Sequence, residues 1–172
     1  MEPINYEWNA RDKWLYGLSM VPFLVVFFGT AFLLSTYSIF LTLILFALYL
    51  ITNFFQAGCC IGCPYRGKYC PALCGVYLGN LLSVILYKNR QFDEKFFRRN
   101  AAAAEMMVLI TAIFPLYWIW QWGWYLVLVY LLLLAAHVIL FMPTQCEKCG
   151  YRNICPGGQA WQSCRKYLWL KN

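Results

Sequence analysis

Nine cysteines in a chain of 172 residues are the side chains best suited to chemistry, and six of them belong to one pattern that occurs twice. The chain reads C-I-G-C-P-Y-R-G-K-Y-C-P from Cys60 and C-E-K-C-G-Y-R-N-I-C-P from Cys146. With one more cysteine downstream of each copy, two sets of four thiols result: Cys60, Cys63, Cys70 and Cys74, then Cys146, Cys149, Cys155 and Cys164. Cys59 is left over. Because two residues between cysteines let a tight turn aim both thiolates at one centre, we predict that each set holds a metal centre.

Two kinds of metal centre suit such sets. The stretch from Cys146 to Gly150 has the look of a zinc knuckle. Proline follows Cys63, Cys70 and Cys155, as in ferredoxin-type runs that end in C-P. The C-x2-C-x5-C spacing from Cys146 also resembles the iron–sulfur staple of RecB-like nucleases, over about ten residues and without a nuclease core. We predict two [4Fe–4S] clusters, with two zinc ions as the alternative and thiol redox chemistry as a third use.

An arginine stands at the same place in both copies, Arg66 in the first and Arg152 in the second. Thiolates carry negative charge, which is costly to place beside a low-dielectric membrane. The two guanidinium groups are therefore predicted to offset part of that charge at the cofactor, or else to hold lipid phosphates.

The rest of the chain has the composition of a membrane protein. Hydrophobic residues make up 62% of it and charged residues 12%, about half the charged share of soluble proteins. No charged residue occurs from Trp14 to Tyr65 or from Met106 to Cys146. Since a helix needs about 20 residues to cross a bilayer, each run holds two crossings. The predicted spans are 14–35, 38–57, 101–120 and 123–142, with kinks at Pro22 and Pro115 and an end at Pro143.

The basic residues predict the orientation of these spans. All 14 Lys and Arg residues precede the first span, lie between the second and third, or follow the fourth. By the positive-inside rule, both termini and the central segment are cytoplasmic, in a multi-pass protein of the cell inner membrane. This placement accounts for the net charge of +7 without a nucleic-acid partner. Disulfides are rare in the cytoplasm, which favours metal binding by the cysteines.

The predicted fold is all-α, with two tandem transmembrane hairpins that are each followed by a cytoplasmic cysteine motif. The repeat of hairpin and motif indicates an internal duplication with pseudo-twofold symmetry. Residues 75–87 are apolar but too short to span, and predict a helix at the cytoplasmic interface. The predicted segments are the N-terminus 1–13, hairpin 14–57, first motif with interfacial helix and connector 58–100, hairpin 101–142, and second motif with tail 143–172.

Two ionisable groups, Glu105 and His137, lie inside the predicted spans and near their cytoplasmic ends. Asn53, Gln56 and Ser19 reach a similar depth, so a polar layer is expected beneath the cysteine motifs. Intramembrane ionisable residues are functional candidates, and we predict catalytic roles for Glu105 and His137 in a quinone pocket or a proton relay. The alternative is that Glu105 reaches the interface and His137 bonds a neighbouring helix.

These features together predict an iron–sulfur protein in the lipid bilayer that relays electrons to a cytoplasmic redox partner protein, and to or from a quinone. The architecture is similar to that of the membrane-bound ferredoxins of respiratory chains, although the motifs do not match residue by residue. Vitamin K epoxide reductases also have four spans and a C-x-x-C, but their cysteines work on the opposite side of the membrane. The alternatives are a zinc-stapled adaptor that docks a cytoplasmic protein, and a metallo-enzyme for a lipid-soluble substrate. Any enzymatic role would be that of an oxidoreductase subunit.

Overall fold

The computed structural model describes residues 9–68 and 78–169, without the side chains of 167–169. These ranges are helical and contain no strand. The helices are α1 (Ala10–Tyr37), α2 (Ile39–Cys59), α3 (Gly79–Leu86), α4 (Glu94–Ile113), α5 (Leu116–Trp122), α6 (Trp124–Phe141) and α7 (Pro156–Trp169), with a π-helical turn (Met142–Cys146) after α6.

Four segments of these helices are long and apolar enough to cross a membrane: Ala10–Tyr37, Ile39–Cys59, Glu94–Trp122 and Trp124–Cys146. The prediction of an all-helical chain with four membrane-spanning helices is confirmed at this level. Large apolar side chains such as Phe32, Phe40 and Ile139 are exposed on the outside of the bundle. A lipid environment would cover them.

The first and third spanning helices begin earlier than hydropathy alone predicted, because capping side chains set their first residues. The side chain of Asn9 accepts a hydrogen bond from the backbone N–H of Asp12, and the side chain of Asp12 accepts one from the backbone N–H of Asn9. This capping box starts α1 before its charged residues. Asp93 caps α4 in the same sense by accepting from the N–H of Lys95. The first and third helices therefore start four and seven residues before the predicted spans at 14 and 101.

Prolines shape the helices in three ways. Pro22 lies inside α1, which continues past it. Pro115 separates α4 from α5, so the third crossing is made of two helices. The α-helical part of the fourth crossing ends at Phe141, two residues before Pro143, but the chain continues as the π-helical turn. There the hydroxyl of Thr144 donates to the Leu140 carbonyl oxygen at 2.7 Å.

The helices pack in two main pairs, α2 against α4 and α1 against α6, and α1 also contacts α2. Near the hairpin tips Leu34 and Leu45 are buried against Phe114 and Trp118. At the opposite end α2 and α4 approach so closely that a Cβ on Gly58 would collide with the side chain of Asn100. This close approach brings the end of α2, where the first cysteine motif begins, against the start of α4.

Candidate functional site

Beyond the ends of α2 and α6, a cavity of about 610 Å³ lies among α2, α4, α6 and the start of α7. Five motif cysteines and the left-over Cys59 line it: Cys60, Cys63, Cys146, Cys149, Cys155 and Cys59. We call this space the thiol-lined cavity. The two motifs therefore face one shared space.

Short turns after α2 present the first motif to the cavity. The N–H of Cys63 donates to the Cys60 carbonyl at 3.2 Å, and the N–H of Arg66 donates to the Cys63 carbonyl at 3.0 Å. Gly62 between them has φ +75°, a left-handed conformation that glycine adopts without strain. Its Cα also faces Phe92 so closely that a Cβ would lie 2.6 Å from the Phe92 Cβ. A side chain at Gly62 would thus disturb both the turn and the packing beneath it.

The short helix α3 holds the far side of the first motif through one amide side chain. Asn80 accepts a hydrogen bond from the Gly67 N–H at 2.9 Å and donates to the carbonyl oxygens of Tyr65 at 3.1 Å and Lys68 at 2.9 Å. Asn80 is almost fully buried. Asn53 of α2 in turn accepts from the N–H of Leu78, just before α3. The first motif is therefore clamped to α2 through α3.

The two motif arginines bond to backbone carbonyls. Arg66 donates from Nη2 to Ser83 O at 2.7 Å and to Tyr87 O at 2.6 Å, which satisfies the C-terminal end of α3. Arg152 donates from Nη1 to Glu147 O at 2.5 Å, within its own motif. Both residues line the thiol-lined cavity. Their contacts give them positioning roles, while a direct role toward the cofactor stays a prediction.

Tyr151 joins the second motif to the first. Its hydroxyl donates to the Ile61 carbonyl at 3.3 Å, and its ring stacks on Phe92 at 4.9 Å between centroids. Burial raises the pKa of the Tyr151 phenol, and negative charge on Cys63, Cys149 and Cys60 raises it further. Cysteines from both motifs are thus close enough to Tyr151 to act on it electrostatically.

Two ion pairs tie the second motif to distant elements. Lys148, inside the C-E-K-C turn, pairs with Asp12 in the first turn of α1. Asp12 is 6% exposed, so this pair lies largely away from water. Glu147 pairs with Arg165 of α7 at 2.5 Å, in a more exposed position. Sequence reasoning missed both pairs, and the only signal was that all four residues belong to segments predicted on one side of the membrane.

Cys155 lies directly before α7, next to Glu105 of α4. Burial raises the pKa of the Cys155 thiol, and the negative charge of Glu105 raises it further. Hydrogen bonds from the N–H groups of Gly158 and Gly157 lower the pKa of this thiol. Glu105 Oε1 also accepts from the Gly157 N–H at 2.9 Å. The net effect raises the pKa of the Cys155 thiol, which favours its protonated form over the thiolate that binds a metal.

His137, the other predicted catalytic residue, also lines the thiol-lined cavity. Its Nδ1 lies 2.8 Å from the Ser19 carbonyl oxygen of α1, in contact with the rings of Phe23 and Phe141. Since a carbonyl oxygen only accepts, Nδ1 carries the proton and Nε2 is an acceptor in the neutral ring. The predicted alternative of a bond to a neighbouring helix is therefore present, together with a place at the cavity wall.

The remaining predicted ligands differ in position. Cys70 and Cys74 lie outside the described residues. Cys164 is exposed on α7 and does not line the cavity, whereas the left-over Cys59 does. The pairing of Cys59 with Cys60 at a helix end was the signal that could have identified it.

No disulfide joins the described cysteines. Within residues 9–68 and 78–169 there is also no group of three or more His, Cys, Asp or Glu side chains that could hold a metal ion. The thiols surround the cavity and do not converge on a single point.

No protein-family model matches this sequence, and no curated protein or solved structure matches it significantly. The chemistry of the thiol-lined cavity is therefore the main guide to function.

Proposed function

We propose that this chain is an integral membrane iron–sulfur protein that relays electrons at the cytoplasmic face of the inner membrane. The observation that carries the proposal is that five cysteines from two copies of one motif, together with Cys59, line a single cavity at one end of a bundle of membrane-spanning helices. All basic residues belong to the segments at that end or to the chain termini, which supports a cytoplasmic position.

The donor set supports iron–sulfur chemistry. Thiolates are soft ligands that select zinc, copper(I) and iron–sulfur clusters. One tetrahedral zinc ion, with Zn–S bonds of about 2.3 Å, needs four sulfurs only about 3.8 Å apart. The described residues hold no such compact group, and their cavity is large. A cluster accommodates more widely separated sulfurs, because its own iron and sulfide stand between the protein sulfurs and keep them apart. When bound, such a cluster takes up and gives back one electron at a time.

We propose two clusters, as the duplicated motif implies, with Cys59 in place of the exposed Cys164 as a ligand. The helix pairs support the duplication. In a duplicated bundle, α1 of the first half corresponds to α4 of the second half, and α2 corresponds to α6. The α2–α4 pair then corresponds to the α6–α1 pair, and these are the two main packing pairs of the bundle. Cys70 and Cys74 remain candidate ligands for the first motif.

The partners follow from where the cavity lies. Its cytoplasmic rim, formed by the two motifs and the start of α7, is the surface at which a soluble redox partner protein would dock. Its inner wall contains Val108, His137 and Val138, all in membrane-spanning segments. A lipid-soluble partner such as a quinone would approach from that side.

The metal content of the protein purified without oxygen tests this proposal. We expect brown protein with broad thiolate-to-iron absorption and about eight iron atoms per chain, the content of two [4Fe–4S] clusters. Colourless protein with stoichiometric zinc would overturn electron transfer and support the adaptor function. Protein with neither metal, in fully reduced form, would overturn both.

A further inference from the structure

The thiol-lined cavity also contains buried hydrogen-bond acceptors that the metal chemistry does not use. Gln145 is 1% exposed, and its Oε1 has no hydrogen-bond partner among the described residues. Gln56 Oε1, on α2, is also buried without a partner among the described residues. Both residues line the cavity. A buried acceptor without a donor costs about 1–3 kcal/mol, so each indicates a missing partner.

The other polar groups of the wall add acceptors. Glu105 contributes a carboxylate, and the Nε2 of His137 accepts because its Nδ1 donates to Ser19. Each basic side chain of the wall has at least one donor nitrogen engaged elsewhere. Arg66 donates to the end of α3, Arg152 to Glu147 O, and Lys148 pairs with Asp12. Both unpartnered atoms of the described wall are acceptors, so their unmet demand is for hydrogen-bond donors.

The shape of the cavity limits what can supply those donors. Its volume of about 610 Å³ falls in the range of small-molecule sites, and its walls are mostly apolar. It also extends into the membrane, because Val138 lies eight residues before Cys146, about 12 Å along the helix. Phe97, Phe141 and Tyr151 contribute aromatic rings. A flat apolar molecule that carries two hydroxyl groups fits these features.

We propose that the thiol-lined cavity binds a lipid-soluble hydroquinone, whose two O–H groups donate to Gln145 and Gln56. The reduced molecule is favoured over the quinone because the carbonyl oxygens of a quinone only accept, so they would leave the two buried Oε1 atoms without a donor. This inference names the lipid-soluble partner of the proposed function, but it depends on the cavity and its amides and requires no metal.

Calorimetric titration of the full chain in lipid nanodiscs, under anaerobic conditions, tests the inference. The probes are a decyl hydroquinone and its dimethyl ether, which has nearly the same shape but no O–H donor, with empty nanodiscs to correct for partition into lipid. We expect saturable binding of one hydroquinone per chain, at least tenfold tighter than the ether. Equal binding of the two probes, or no saturable binding, would overturn the proposal. Water would then be the donor to the Oε1 atoms of Gln145 and Gln56.

Matched variants locate the binding. Gln145→Met keeps the side-chain length but removes the amide, and we expect about tenfold weaker hydroquinone binding, equal to about 1.4 kcal/mol, with ether binding unchanged. Gln56→Met should behave alike, which keeps the test valid if one variant folds poorly. Ser83→Ala is the control, because Ser83 Oγ is also buried without a partner among the described residues but lies outside the cavity wall. Wild-type affinity in both Gln variants would contradict the proposal.

Iron measured on the same samples separates this inference from the proposed function. Protein without iron that still prefers the hydroquinone would overturn only the iron–sulfur function. Protein that contains iron but does not distinguish the two probes would overturn only the hydroquinone site.

Discussion

The two cysteine motifs have nearly the same spacing but are held in place by different interactions. The first is held against the short helix α3 by the amide of Asn80 and by the hydrogen bonds of Arg66 to backbone carbonyls. The second is held by charges, through the Lys148–Asp12 and Glu147–Arg165 pairs, and by the stacked ring of Tyr151. The repeated spacing thus preserves the thiols while each copy has its own support. The first motif should therefore respond to loss of an amide, and the second to loss of a charge.

The largest expected effect concerns which cysteines bind the cofactor. Cys59→Ser should remove one proposed cluster, about four iron atoms per chain, because its side chain lines the cavity. Cys164→Ser should leave the iron content unchanged, because Cys164 is exposed on α7. Iron analysis of both variants in parallel checks this, and each serves as the control for the other. The reverse result would restore the quartet predicted from the sequence.

The buried ion pair of the second motif should give the largest change in stability. Asp12→Asn keeps the oxygen that accepts from the Asn9 N–H but leaves Lys148, whose side chain is only 17% exposed, without its counter-charge. Loss of one partner of such a pair should lower the free energy of unfolding by about 3 kcal/mol. Unfolding in detergent measures the change.

Replacement of both partners gives the control for this pair. Asp12→Asn combined with Lys148→Met leaves no unpaired buried charge, so it should be less harmful than Asp12→Asn alone. A double variant as unstable as the sum of the single variants would show that the two side chains act independently.

The clamp on the first motif should give a smaller effect. Asn80→Ala removes three hydrogen bonds and leaves the Gly67 N–H and two carbonyl oxygens to find water, at a cost of about 2 kcal/mol in unfolding free energy. Asn89→Ala is the control, because Asn89 is exposed after α3. The loss in Asn80→Ala should hardly change with added salt, since no charge is involved. Equal stability of the two variants would contradict the clamp.

The comparison of the motifs also shows what could be predicted from sequence. The four membrane helices and the two hairpin tips followed from hydropathy and from uncharged runs, because the need to satisfy the backbone in lipid leaves few choices. The shared position of the arginines was visible, but their carbonyl partners were not, because Arg66 bonds to residues 17 and 21 positions further along the chain, which spacing does not specify. The Asp12–Lys148 pair joins residues 136 positions apart, and no local pattern encodes such a contact.

The position of Cys59 at the cavity also shows a limit of prediction from sequence. The sequence pattern grouped cysteines by their distance along the chain, whereas helix geometry decides which thiols reach the cavity. Cys59 ends α2 and Cys60 follows it directly, so both can line the same wall. Cys164 sits in the third turn of α7, and by then the helix has carried it away from the motif.

The smallest effect is expected for the exposed ion pair, and it sharpens the comparison within the second motif. Glu147 and Arg165 have side chains that are 35% and 56% exposed, so their pairing should add less than about 1 kcal/mol to stability. Glu147→Gln should therefore lower the unfolding free energy only slightly at low salt, and not at all near 1 M salt, where screening acts within a few ångströms. Asp12→Asn should keep most of its effect at that salt concentration, because burial protects its pair from ions. The contrary result is that both variants lose their effects on the unfolding free energy together as the salt concentration rises. The two ion pairs would then have the same environment, and surface charge alone would stabilise the second motif.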